Sequence, residues 1–459
     1  MWRTYVICVL IGLLLVSTGS SLVLLRQNIA AQSELDRVRQ QVKSAASSPA
    51  ASANTPRQST PVATLAPAPS IAVTGPDSAL LQQIESDVAT LRGLQPKTSV
   101  PLRFLDQSAL QQYFLNEFNT DYLPSERESD QKLLATLGII NPNESVVQIL
   151  LDVLQEQIIG VYNQDEKVMY LVSDNGQFGA DEKNTFAHEF DLALQDQYFD
   201  LTTLAPKHPD NADRSLAIQA LTEGDATLIQ RLWAQQNLTA DEMNQLGQGA
   251  ATSQLLSAPL FLREQLLFPY TDGFTFIRQI YQAGGYASVD DVFRNPPRST
   301  AQILHIDKYR AHVQPVEVTL ADLSQGSLGD GWRLITSNVL GELDLRLVLT
   351  QLTDSTRGVR GASGWAGDRW ELLEKDGRQA LVIKSVWDSE SEARNFFDTF
   401  ALAMKNHFAG AREDEASTTR QALTASTAAT DVRRGGATVL AVISFDRASA
   451  DAIVSAVGI

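Results

Sequence analysis

Histidine is scarce in this chain: His188, His208, His305, His312 and His407 are the five among 459 residues. One of them stands beside an acid in the string TFAHEFDLALQDQYFD, residues 185–200. On a helix, positions four apart lie about 40° apart around the axis, so an H-E-x-x-H string converges two imidazoles on one zinc ion. The glutamate beside the first histidine then reaches the metal-bound water and takes its proton. Here His188 and Glu189 are present, but the position four after His188 is Leu192, which has no donor atom. By spacing alone, the string reads better as an amphipathic helix. Phe186, Phe190, Leu192 and Leu194 would then pack a core, with His188 and Glu189 hydrogen-bonded inside it.

Three residues bear on whether another donor takes the missing place. Asp191 follows His188 by three positions, about 60° round the axis on the other side of the stripe from position 192. Its carboxylate would have to bend toward a metal over a short reach; otherwise it is a solvated or N–H-capping residue. His208 lies in the polar loop PKHPDNAD, which either folds back over the site or leaves a surface histidine. His305, after the turn-rich NPPRST, either approaches the cleft or packs and caps a helix. Cys8 is the one cysteine and sits in the apolar N-terminal stretch, so the remainder has neither a disulfide nor a thiolate metal site.

The flanks of the string carry a resemblance. Residues 188–201, HEFDLALQDQYFDL, are similar to the HEYTHALQDQHFDL helix of gluzincin-like zinc metallopeptidase-like proteins of bacteria and archaea. GVYNQDEKVMYLVSD (160–174) resembles the strand hairpin before that family's metal helix. ALTEGDA (220–226) resembles its ALxEGDA segment. RSTAQILH (298–305), GWAGDR (364–369) and VWD (386–388) match further, so the resemblance covers most of residues 154–397. It implies His188 as the first zinc ligand, Glu223 as the third and Glu189 as general base. The second ligand is not carried over. The resemblance therefore implies a peptidase-derived fold that binds zinc weakly or not at all and holds a peptide or protein segment in the old cleft. The hairpin at 160–172 would offer the edge strand for it. The alternative is an active zinc peptidase in which Asp191 or His208 replaces the missing ligand. A third reading is an envelope scaffold only.

Around these residues the chain divides into four stretches. Residues 4–25 are uncharged and apolar, long enough as a helix (roughly 33 Å) to span a hydrocarbon core. A cleaved signal peptide would have a shorter apolar region and a small-residue cleavage site. Residues 26–77 comprise a short polar helix and an Ala/Ser/Thr/Pro-rich stalk. Arg26, Arg37, Arg39 and Lys43 after the span would keep the remainder inside on a plain count of positive charge. The very short N-terminus and the stalk point the other way, to a single-pass anchor with the soluble part outside the cytoplasm. Residues 78–312 form the expected zincin-like domain, mainly helical with a small mixed sheet. Residues 313–459 form a smaller α+β domain. In that second domain the spacing predicts a helix over 336–352, strands over 368–373 and 380–387, a helix over 389–407, a polar loop over 411–431, a strand over 438–445 and a last helix over 448–457. Trp365, Trp370 and Trp387 are expected in the core. Asp and Glu number 54 against 37 Lys and Arg, a net charge of -17, which argues against nucleic acid as a partner.

Overall fold

The computed structural model describes residues 78–155, 160–172, 178–206, 210–246, 253–320, 323 and 328–459. The expected span, polar helix and stalk, and His208, lie outside the described residues. Among those described, no helix is long and apolar enough to cross a membrane. The fold is mixed α+β, with one small mixed sheet and one larger antiparallel sheet.

The first half begins with α1 (Ser78–Arg92), β1 (Leu102–Leu105), α2 (Gln107–Asp121), α3 (Pro124–Thr136) and α4 (Val146–Gln155). There follow β2 (Gly160–Asn163), β3 (Val168–Val172), α5 (Ala180–Phe199), α6 (Leu201–Leu204) and α7 (Ala212–Asn237). It ends with α8 (Ala240–Gln245), α9 (Ser253–Ser257), α10 (Leu260–Phe268), a π-helical turn (Pro269–Gly273), α11 (Phe274–Arg294), α12 (Thr300–Leu304) and α13 (Ile306–Arg310). The expected hairpin is β2–β3, with Val161 opposite Tyr170, and β1 pairs parallel to β3, so β2 is an edge strand. Helix α5 is the centre of this half. Glu182 accepts from the Gly179 N–H at 2.9 Å and closes its first turn, and Asp200, at φ 52°, ends it. Every residue from Asn184 to Asp196 is buried. A helix enclosed on all sides must satisfy its polar groups inside the protein, and the charges on α5 are best explained that way.

The second half contains β4 (Arg333–Asn338), α14 (Gly341–Leu352), α15 (Ser355–Ala362), β5 (Trp365–Lys375), β6 (Arg378–Trp387) and α16 (Glu390–His407). Strands β7 (Arg412–Ala416), β8 (Arg420–Thr424), β9 (Ala429–Gly435) and β10 (Thr438–Ser444) follow, and α17 (Arg447–Val457) closes it. The sheet order is β4-β5-β6-β10-β9-β8-β7, antiparallel throughout. Leu372, Leu381, Ile383, Val439 and Ala441 share a core with α16, while Leu373, Val382, Leu440 and Val442 meet α17 through Ile453 and Val454. Both faces are covered, so β6 and β10 read as nearly continuous apolar runs. Trp365, Trp370 and Trp387 are core residues, as expected.

Two expectations for this half are corrected. Residues 336–338 belong to β4, and the helix begins only at Gly341, whose φ of 77° makes the turn between them. The apolar spacing ran on through Val339 and Leu340, which lie in the connection. Residues 411–431 are not a polar loop: they hold β7, β8 and the start of β9. These strands hide their alternation because ion pairs replace apolar contacts on one face. Asp431, fully buried, accepts from Arg420 at 2.7 Å, Arg433 at 3.1 Å and Arg447 at 3.4 Å.

Buried polar contacts join the halves (Asn338 to Ala212) and brace each half within itself (Asp213 to Thr300, Asp368 to Leu340 and Gly341). Asn338 Oδ1 accepts from the Ala212 N–H at 2.9 Å. Asp213 accepts from the Thr300 N–H at 3.0 Å. Asp368 accepts from the Leu340 and Gly341 N–H groups at 2.9 and 2.8 Å and from the Trp365 indole at 2.9 Å. Burial raises the Asp368 carboxyl to about 6, against the pull of those three donors, and raises Asp213 in the same direction. The folded chain therefore holds a proton on Asp368 that the unfolded chain releases between about pH 3.8 and 6. This group's contribution is favourable below that window and is lost as pH rises through it, on the order of 3 kcal/mol. Denaturant unfolding of Asp368→Asn and the parent at stepped pH should show the parent falling relative to the variant by that amount between pH 4 and 6.5. A constant difference would refute the assignment.

Candidate functional site

The residues after His188 in the α5 string each hold a different element. Gln195 Nε2 donates to Asp191 Oδ2 at 2.7 Å and to the Thr222 carbonyl on α7 at 3.1 Å. Asp196 accepts from the Tyr162 hydroxyl and the Lys167 ammonium, both at 2.6 Å, and so clamps the β2–β3 hairpin. Gln197 accepts from the Lys97 and Thr98 N–H groups at 2.6 and 3.2 Å, tying down the segment before β1. The extended string thus encodes a set of docking contacts around the helix.

Those contacts bring His188 and Glu223 together. His188 Nε2 lies 3.1 Å from Glu223 Oε2 across the α5–α7 packing. Glu189 Oε2 accepts from the Tyr162 N–H of edge strand β2 at 2.7 Å. That amide is therefore taken, and a strand added to β2 at this point has to displace Glu189. Burial opposes charge on His188, but the Glu223 hydrogen bond and the charges of Glu189, Glu223 and Asp191 outweigh it and raise its pKa. Glu189 is raised to about 7 by burial, with His188 pulling it down and Glu223 pushing it up. Burial also raises Glu223, against His188 and the Tyr270 hydroxyl. His188, Glu189 and Glu223 are 2%, 2% and 3% exposed, so a substrate cannot touch them in this conformation.

Tyr270 was not legible as a site residue. It lies in the π-helical turn, its ring centred 6.4 Å from His188. Glycines bring that turn against α7. A Cβ on Gly224 would lie 2.4 Å from the Gly273 carbonyl carbon, and one on Gly273 would lie 2.3 Å from the Ala220 oxygen. Gly224 sits beside Glu223, so this backbone contact sets the distance from Tyr270 to the acid. Gly224→Ala should push the turn away, at a cost of about 1–3 kcal/mol or more, read by urea unfolding. Unaltered stability would mean that the contact is slack.

Leu192 and Asp191 decide whether zinc fits. Leu192 is buried with Tyr162, Ala193 and Ala226. Asp191 is fully buried, which corrects its reading as a solvated or capping residue. Besides Gln195, it faces the Arg92 guanidinium at 3.8 Å. Arg92, also fully buried, binds Asp225 on α7 at 2.9 Å and Asp290 on α11 at 2.7 Å, and its guanidinium carbon lies 4.7 Å from the centre of the Tyr286 ring. His305 meets Glu342 at 2.6 Å, in the packing role expected as one alternative. A catalytic zinc takes three protein donors and leaves a position open for water. Here His188 and Glu223 supply two, hydrocarbon fills the third place, and Glu189 is bound to a backbone amide. That donor set does not fit a catalytic zinc. Among the described residues, no group of three or more His, Cys, Asp or Glu side chains gathers as metal ligands.

Residues 332–454 match a family model described as a domain of unknown function (DUF8575), roughly a quarter of the chain, covering the seven-stranded sheet and most of its helices. His188, Glu189 and Glu223 lie outside the match. No curated protein matches this chain. No solved structure matches it either.

Proposed function

We propose that this chain is a single-pass membrane protein whose extracytoplasmic part carries a zincin-like, gluzincin-related domain that has given up zinc chemistry and binds a peptide or protein segment. The observation that carries the reading is Leu192, packed against Tyr162 and Ala226 beside a His188–Glu223 pair that lacks a third donor. The resemblance of residues 154–397 to metallopeptidase-like proteins supports the ancestry. Asp191 bound to Gln195 and facing Arg92 supports the loss of chemistry, since a carboxylate so engaged is a poor replacement ligand. Without metal, water keeps a pKa near 15.7, about nine units above a zinc-bound water, and Glu189 has no activated nucleophile.

The test is the zinc content of the purified full chain, measured by elemental analysis after dialysis against trace zinc. The expected result is zinc near background and peptide hydrolysis that does not change in Glu189→Gln. Near-stoichiometric zinc with hydrolysis abolished by Glu189→Gln would overturn the proposal in favour of an active peptidase with a substitute ligand.

A further inference from the structure

Four buried carboxylates lie around the start of α14, where the two halves meet. Asp213, at the start of α7, belongs to the first half; Glu342 and Asp344 on α14 and Asp368 on β5 belong to the second. Asp213 is 2% exposed and the other three are 3% exposed. Hydrogen bonds cross between the halves at the same place. Besides the Ala212–Asn338 bond, the Leu343 N–H donates to the Thr300 hydroxyl at 3.1 Å, Gln265 Nε2 donates to Asp344 Oδ1 at 2.5 Å, and His305 meets Glu342. Basic groups are placed less closely. Arg369 acts on Asp368, but its Nε donates to the Ser337 hydroxyl at 2.8 Å, and Arg214, next to Asp213 on α7, is exposed.

Asp213 carries the argument. Its Oδ1 accepts from the Thr300 N–H at 3.0 Å and from the Thr300 hydroxyl at 2.5 Å, the same hydroxyl that accepts from Leu343 across the joint. A Cβ on Gly341 would lie 1.8 Å from that oxygen, so the carboxyl rests directly on the first residue of α14. Its Oδ2 is buried with no hydrogen-bond partner among the described residues. An ionised carboxylate there has lost its water and gained donors on one oxygen only, which disfavours the charge. Burial accordingly holds the Asp213 carboxyl well above the usual carboxylate range against the Thr300 bonds, and Asp368 and Asp344 push it further up. Both of those acids lie across the joint, so a charge on Asp213 becomes repulsion between the halves. A raised carboxyl favours the folded joint below its ordinary range, and that contribution is lost as pH rises through the folded value. The His305–Glu342 contact has the same sign, because it is an ion pair only while the imidazole is protonated.

We propose that the joint between the halves is a proton-operated latch, closed while Asp213 holds a proton and loosened once Asp213 ionises and faces Asp368 and Asp344 across it. Two amides report on it directly, because the Ala212 and Leu343 N–H groups each bond across the joint. The experiment is hydrogen exchange of the full chain in nanodiscs, stepped from about pH 5 to about pH 9 and corrected for the intrinsic exchange rate at each pH. Peptides carrying Ala212 and Leu343 should lose protection together at high pH, by about tenfold or more, while the β6–β10 amides keep theirs. Asp213→Asn keeps an acceptor for Thr300 and never ionises, so it should remove most of that change. If this variant does not fold, Asp344→Asn, which takes away one of the charges facing Asp213, should move the loosening to higher pH. Unchanged protection at the joint, an equal loss in β6 and β10, full pH dependence in a folded Asp213→Asn, or an unmoved profile in Asp344→Asn would each overturn the proposal.

Discussion

Arg92→Met is expected to lower the folding stability of the full chain by about 3–5 kcal/mol, the range for removing one partner from a buried ionic group. The reason is arithmetic of charge in a dry place. Arg92 is fully buried and faces Asp225 at 2.9 Å, Asp290 at 2.7 Å and Asp191 at 3.8 Å, of which Asp191 and Asp225 are themselves fully buried. Burial raises Asp225 to about 8 even with the guanidinium beside it. With methionine at 92, the aspartates lose the guanidinium that faces all three of them. Each must then take up a proton or remain as an isolated charge, and both alternatives are unfavourable. Arg92→Lys should recover little, because a point charge on a flexible stem cannot bridge Asp225 and Asp290 from one planar group while lying over Tyr286. The double variant Arg92→Met with Asp225→Asn should regain part of the loss. An exposed pair such as Arg294–Asp291 gives the contrast, since breaking it should cost less than about 1 kcal/mol. Urea unfolding distinguishes these cases, and a loss under about 1 kcal/mol for Arg92→Met would show that the network carries no stability. The network also bears on the site. It holds Asp191 toward α1 and away from the role of replacement ligand.

Arg92 illustrates what could be read in the sequence and what could not. It lies four after Val88 and eight after Ile84, on the apolar stripe of α1, and a charge on that stripe signals a buried pairing. Its partners, 99 to 198 positions away, carry no local signal. His188, Glu189 and Glu223 could be named before any coordinates because the resemblance of residues 188–201 and 220–226 implied them; by spacing alone the α5 string read as an amphipathic helix. The β2–β3 hairpin was legible from a change of period around a polar turn. By contrast, β7 to β9 were hidden because Arg420, Asp431 and Arg433 form ion pairs where alternation would show apolar residues. Tyr270 was hidden because a backbone contact between Gly224 and Gly273 places it, and neither glycine announces its partner.

Leu192→His should change metal content more than any other single substitution in the chain. Two ligand atoms bound to one tetrahedral zinc at 2.0–2.1 Å stand about 3.3 Å apart. His188 Nε2 and Glu223 Oε2 stand 3.1 Å apart, so opening their hydrogen bond by a few tenths of an ångström would admit an ion. Position 192 is four after His188 on α5, on the same side of the helix. The expected result is zinc rising from background to about one ion per chain, with an affinity gain of at least ~10–100-fold, the loss caused by even indirect damage to such sites. Stability gives a second reading of the same event. Without metal, an imidazole in the pocket of Tyr162, Ala193 and Ala226 is poorly partnered, and the variant should unfold more easily than the parent. Zinc at a hundred times its dissociation constant should then restore ~2.7 kcal/mol, a rise that the parent does not show. Adding Glu223→Gln should abolish both the uptake and the rescue. If Leu192→His folds and still takes up no zinc, the His188–Glu223 pair is a packing contact with no metal cradle behind it, and the ancestry argued from the α5 string loses its physical support.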